Sequence, residues 1–95
     1  MIIEIISIIL ISYSLGSLPS GIIFSKIFSL GDLRKIGSGN IGTTNVLRTG
    51  NYTAAALTLA SDFGKAYAAI YISSIINGDL ILLSGLTILI GHIFP

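Results

Sequence analysis

The chain contains no cysteine and no tryptophan, a single histidine and only two prolines among its 95 residues. Without cysteine there is no disulfide framework, no thiolate metal site and no cysteine nucleophile, and one histidine does not make a metal centre by itself. No metal and no cofactor are expected. Charge is also scarce: 9% of residues are Asp, Glu, Lys or Arg, and the formal net charge is +1. That is too little to capture a polyanion, and no basic patch interleaved with aromatics occurs, so nucleic-acid binding is set aside.

What the chain does have is apolar surface, 53% hydrophobic residues with a mean hydropathy of +0.96. A composition this oily belongs in a lipid bilayer. From Ile5 to Ser25 no charged residue appears, and at about 1.5 Å per residue this stretch can cross a hydrocarbon core of about 30 Å. Glu4 stands where a cleavable leader would carry basic residues, and no small-x-small site closes the run, so the segment reads as an uncleaved anchor. Pro19, in "SLGSLPSG", is expected to kink this helix and free the carbonyl of Leu15, with Gly16 and Ser20 one turn apart on one face. Close helix packing through these small residues and a direct role in lining a site are both open.

A second span is expected roughly from Tyr52 to Ile76 and a third from Leu80 to the end, joined by the short "NGD" turn at Asn77 to Asp79. The fold class is thus all-α, an integral membrane protein of about three transmembrane helices in one domain, residues 1–95. Lys26, Arg34, Lys35 and Arg48 fall on one side of the spans, Glu4 and Asp79 on the other. The positive-inside rule places the N-terminus outside and the segment from Lys26 to Arg48 in the cytoplasm; the resemblance described below implies the inner (plasma) membrane.

That cytoplasmic segment holds the tract "IGSGNIGTTNVLRTG", Ile36 to Gly50. Glycines at 37, 39 and 42 allow positive φ and let successive N–H groups converge on an anion. Ser38, Thr43, Thr44, Asn40 and Asn45 add side-chain donors, Thr43 or Thr44 is placed to cap a following helix, and Arg48 offers a planar fork for two phosphate oxygens. The spacing is not that of a Walker loop, because no lysine follows Gly42. A phosphate site competes here with a re-entrant connection whose polar groups merely satisfy one another. Asp62 and Lys65, three apart in the second span, share a helical face. They are either a self-contained ion pair or the border of the anion pocket, with Lys65 adding charge to it. His92 is either an interfacial histidine with no special role or a substrate ligand or general base.

Taken together, "GSLPSG" from Gly16, "DLRKIGSGNIGTTNVLRTGN" from Asp32, "DFGKA" from Asp62 and "GHIFP" from Gly91 resemble the bacterial acyl-phosphate:glycerol-3-phosphate acyltransferases, integral membrane enzymes that begin phospholipid synthesis. Thr43 stands where that family usually has alanine, and Ala66 where a glycine commonly follows the lysine. The resemblance implies transfer of an acyl group from acyl phosphate to the 1-hydroxyl of glycerol 3-phosphate, giving lysophosphatidic acid and phosphate without an enzyme nucleophile. It further implies Ser38 and Arg48 as the catalytic residues, with Gly37, Gly39, Asn40, Gly42, Thr43, Thr44 and Asn45 shaping the substrate pocket and Lys65 and His92 as further substrate-binding candidates. Members of that family continue past "GHIFP" with a second glycine-rich loop and a third motif. The chain is therefore expected to be the N-terminal part of a longer enzyme, completed by the missing half or by a second chain. The alternatives are a catalytically silent membrane fragment or a phosphate or anion transporter subunit.

Overall fold

A computed structural model describes residues 1–95, and its regular elements are all helices, with no strand. The elements are α1 (Ile2–Gly16), α2 (Ser20–Ile27), a 3-10 turn (Leu33–Lys35), α3 (Thr43–Leu47), α4 (Tyr52–Asn77), a second 3-10 turn (Gly78–Leu80) and α5 (Ile81–Ile93). Two segments, Ile2–Ile27 and Tyr52–Ile93, are long and apolar enough to cross a membrane. Only 17% and 22% of their most apolar windows are buried, so their oily faces point outward, as lipid-facing helices do and core helices of soluble proteins do not.

The 42-residue second segment is about twice the length needed for one crossing. It is not a single rod, because Ser73 Oγ donates to Ser84 Oγ at 3.0 Å although the two are eleven residues apart. In an unbroken helix that separation is about 16 Å. The chain reverses at Asn77, whose side-chain oxygen accepts the Asp79 N–H at 3.0 Å and so opens the 3-10 turn.

The chain forms two compact units, one of residues 1–18 and 63–95 and the other of residues 19–62. In the first, α1 packs along α5. Gly91 makes this possible: a Cβ there would lie 2.7 Å from the Tyr13 carbonyl oxygen and 3.0 Å from the Ser17 nitrogen. Gly16 is likewise pressed against the backbone of Ile88. With no hydrophobic force between helices in lipid, such close backbone contact and interhelical hydrogen bonds hold the pair. The bonds come from three fully buried hydroxyls, with Ser84 Oγ 2.8 Å from Ser12 Oγ and also accepting from Ser73. Asn77 Nδ2 adds a bond to Glu4 Oε2 at 3.0 Å.

The first span departs from expectation. It begins at Ile2 and is broken at residues 17–19 where a continuous, kinked helix from Ile5 to Ser25 was expected. Gly16 and Ser20 therefore do not share a helix face. The Leu15 carbonyl is not freed either, since the Leu18 N–H bonds to it at 3.2 Å in a tightened last turn. Among the carbonyls left without a backbone donor are those of Gly16 and Leu18, and the Lys65 ammonium takes both, at 2.9 and 3.0 Å.

In the second unit the core is Leu33, Ile41, Val46, Ala54 and Ala55, with Ile22, Phe24, Phe28, Leu30 and Ile36 packed against it. α2 ends with the Leu30 N–H on the Ser25 carbonyl and the Ser29 N–H on that of Lys26. This is a Schellman closure, with Ser29 at φ 56° in the position usually given to glycine. α4 starts at Tyr52 because Asn51 caps it, its Oδ1 accepting the Ala54 N–H at 2.9 Å.

Candidate functional site

The loop between Ile36 and Arg48 is shaped by its own polar side chains. Gly37 and Gly39 sit at φ 51° and 74°, which an L side chain rarely adopts. Gly42 differs from expectation: its φ is −77° with ψ 172°, ordinary extended backbone. It occupies the N-cap of α3, and Thr43 and Thr44, expected as caps, are the first two helical residues, with no side-chain bond at the cap. Asn40 stabilises the approach instead, its Oδ1 accepting the Gly42 N–H at 3.1 Å. The Ser38 hydroxyl is exposed and accepts the Asn40 N–H at 3.3 Å.

Asn45 is the brace of this loop. It is 1% exposed, and its Nδ2 donates to the carbonyls of Leu33 at 2.8 Å and Asn40 at 2.7 Å. Both amide hydrogens are thus spent inside the unit, so Asn45 sets the shape of the loop and does not offer donors to a ligand. Its Oδ1 lies 3.5 Å from Arg48 Nη1. A Cβ on Gly37 would come within 2.7 Å of that same oxygen and would overlap the Arg48 guanidinium. Arg48 is exposed and forms no ion pair. The N–H groups of Ser38, Thr43 and Thr44 take part in no hydrogen bond within the chain. An arginine fork and several uncommitted amides in one short loop can receive a tetrahedral anion, a phosphate above all.

Lys65 and His92 belong to the other unit, where they are brought to each other: Lys65 Nζ is 2.9 Å from His92 Nδ1. With the ammonium donating, the His92 proton resides on Nε2. Three N–H groups of Lys65 thus meet three acceptors, Gly16, Leu18 and His92, and the residue is 7% exposed. Asp62 is half-buried.

One feature of the second unit escaped sequence reasoning. A cavity of about 470 Å³ is bordered by Ile22, Ser25, Lys26, Ser29, Asp32 and Arg34. Lys26 and Arg34 are legible in the sequence only as markers of membrane orientation, because nothing in their spacing reveals that a 3-10 turn folds one toward the other.

Residues 6–95 match the family model described as glycerol-3-phosphate acyltransferase. Among curated relatives, the chain is 52% identical over 87 residues to the glycerol-3-phosphate acyltransferase of Jannaschia sp. (strain CCS1) and 54% identical over 86 residues to that of Roseobacter denitrificans. Each alignment covers 90% of this chain and 43% of the relative. The enzyme of the same name from Agrobacterium fabrum is 51% identical over 87 residues. The chain thus spans less than half the length of the curated relatives it matches. No solved structure matches it.

Proposed function

The chain belongs to the glycerol-3-phosphate acyltransferase family, and on that premise we propose that its Gly37–Arg48 loop is the phosphate-handling part of an enzyme that acylates the 1-hydroxyl of glycerol 3-phosphate from acyl phosphate. The products are lysophosphatidic acid and inorganic phosphate. Acyl phosphate is a mixed anhydride, so the acceptor hydroxyl attacks it directly and no enzyme nucleophile is needed. The protein's task is to position two phosphorylated molecules and to offset charge on the leaving phosphate. Arg48 supplies permanent charge in a bidentate fork, and the uncommitted amides of Ser38, Thr43 and Thr44 supply neutral donors around it. The Ser38 hydroxyl, exposed in the same loop, is the second group to which we assign a direct role in the transfer.

The observation that carries this reading is the Arg48 guanidinium, exposed, without a carboxylate partner, and lying against a glycine that leaves room for it. The chain is proposed to cross the bilayer three times, with the reversal at Asn77 outside and the loop in the cytoplasm. Lys26, Arg34, Lys35 and Arg48 all on one side support this orientation. Activity is proposed for the chain together with the remainder of a family-length protein, supplied in the same polypeptide or by a second one.

The test is acyl transfer from acyl phosphate to labelled glycerol 3-phosphate in membranes carrying the family-length protein. Arg48→Lys is expected to reduce kcat/KM at least about tenfold, the cost of losing a bidentate charged contact. Unchanged kcat/KM would exclude the phosphate role of Arg48. Phosphate uptake into sealed vesicles without acyl donor, accompanied by no acyl transfer, would replace the enzyme reading by a transporter.

A further inference from the structure

The cavity beside the end of α2 is separate in its residues from the glycine loop. Its cationic groups are Lys26, in the last turn of α2, and Arg34, in the 3-10 turn; neither forms an ion pair. Asp32 is the one carboxylate on its border, and its Oδ1 already accepts the Arg34 N–H at 3.0 Å. Ser25, also on the border, is 2% exposed, and its hydroxyl is buried without any hydrogen-bond partner in the chain. A buried hydroxyl left unpaired costs about 1–3 kcal/mol, so such groups are rare unless a ligand or water completes them.

We propose that this cavity is a phosphate-binding site at the membrane surface. Two cations without an ion-pair partner, set against a single carboxylate, and an orphan hydroxyl around a space of about 470 Å³ leave a net positive lining that suits a phosphate group with a small polar substituent. Its place in the chain fits: Lys26 lies in the final turn of the apolar segment Ile2–Ile27, where a bilayer gives way to headgroups. Ile23 and Ile27 next to it are 45% and 64% exposed, and these apolar neighbours favour a phosphate carried by lipid over one free in solution. The inference does not rest on the acyl-transfer reading, because it uses neither Ser38 nor Arg48.

The experiment measures lipid retention by the purified protein in neutral detergent, titrated with phosphatidylglycerol or phosphatidylcholine and counted by native mass spectrometry. Wild type is expected to retain phosphatidylglycerol preferentially, and Lys26→Gln/Arg34→Gln to lose that preference by about tenfold. Both side chains are exposed, so the variant is expected to keep its helix content, checked by circular dichroism. Ser25→Ala is expected to weaken retention while leaving folding intact, because it removes only an unpaired hydroxyl. Arg48→Gln is expected to keep the preference; its loss there would move the anion to the glycine loop and overturn the proposal. Equal retention of the two lipids by wild type, with no displacement by inorganic phosphate of a fluorescent phosphate probe, would also overturn it. Displacement of that probe by inorganic phosphate in wild type and not in the double variant, without lipid preference, would support the site and identify its ligand as the free anion.

Discussion

Lys65 Nζ bonds to Nδ1 of His92 across 2.9 Å while it holds the carbonyls of Gly16 and Leu18. One ammonium therefore closes the break in the first span and ties α4 to both α1 and α5. Lys65→Met, similar in length and without donors, would strand two carbonyls and an imidazole nitrogen in a largely apolar setting. We expect a loss of about 2–4 kcal/mol, seen as a lower melting temperature in detergent. His92→Phe leaves the two carbonyl bonds in place and is expected to cost less. A Lys65→Met protein as stable as wild type would show that water replaces the ammonium.

The glycines of the α1 and α5 contact provide a sharper comparison. Gly91→Ala drives a methyl into the Tyr13 carbonyl and is expected to destabilise the protein by about 1–3 kcal/mol. Gly85 lies on the same helix with nothing within 4 Å of its would-be Cβ. Gly85→Ala is therefore expected to be neutral or stabilising by up to about 1 kcal/mol through helix propensity. Thermal unfolding of the two variants side by side checks both signs.

Within the loop, Gly37 and Gly42 are expected to respond differently to the same change. Gly37→Ala places a side chain at φ 51° and in the space of the Arg48 guanidinium, so on the proposed role of the loop acyl transfer by the family-length protein is expected to fall at least about tenfold. Gly42→Ala meets nothing closer than 3.5 Å and keeps an ordinary φ, so activity within about threefold of wild type is expected. Steady-state kinetics of both variants in membranes measure this.

Asn45→Leu keeps the volume and removes the amide, leaving the Leu33 and Asn40 carbonyls without their donor. A loss of about 2–4 kcal/mol is expected, along with faster proteolysis in the segment from Leu33 to Asn40. Thermal melts with peptide mapping check it. Asn45→Asp also loses the two donors and is not expected to rescue.

The helical class, the apolar segments, the reversal after Asn77 and the start of the long helix at Tyr52 follow from signals that are local in sequence. A run without charge, an Asn-Gly-Asp turn and an asparagine cap act through neighbours a few residues away. The break at Pro19 is half legible: proline announces a fault, yet which carbonyls stay open depends on an ammonium 47 and 49 residues away. Asn45 belongs to the same category, because its partner carbonyl on Leu33 comes from a turn that the amide itself helps to position. The φ of Gly42 misled because glycine permits the left-handed region without requiring it. The loop's residues were legible as a group, while the division between those that build it and those that face a ligand required the fold.

The three serines at the heart of the first unit also bear on how the helices find their register. Ser73 and Ser84 flank a tight reversal, so their bond closes only a short loop. Ser12 reaches Ser84 only when α1 lies against the hairpin in the right place. Away from it, the Ser12 hydroxyl has no acceptor except a carbonyl of its own helix one turn back. The serine cluster thus discriminates one alignment from its neighbours: a hairpin slid along α1 by one turn, about 5.4 Å, leaves all three helices equally greasy and breaks the bond between Ser12 and Ser84.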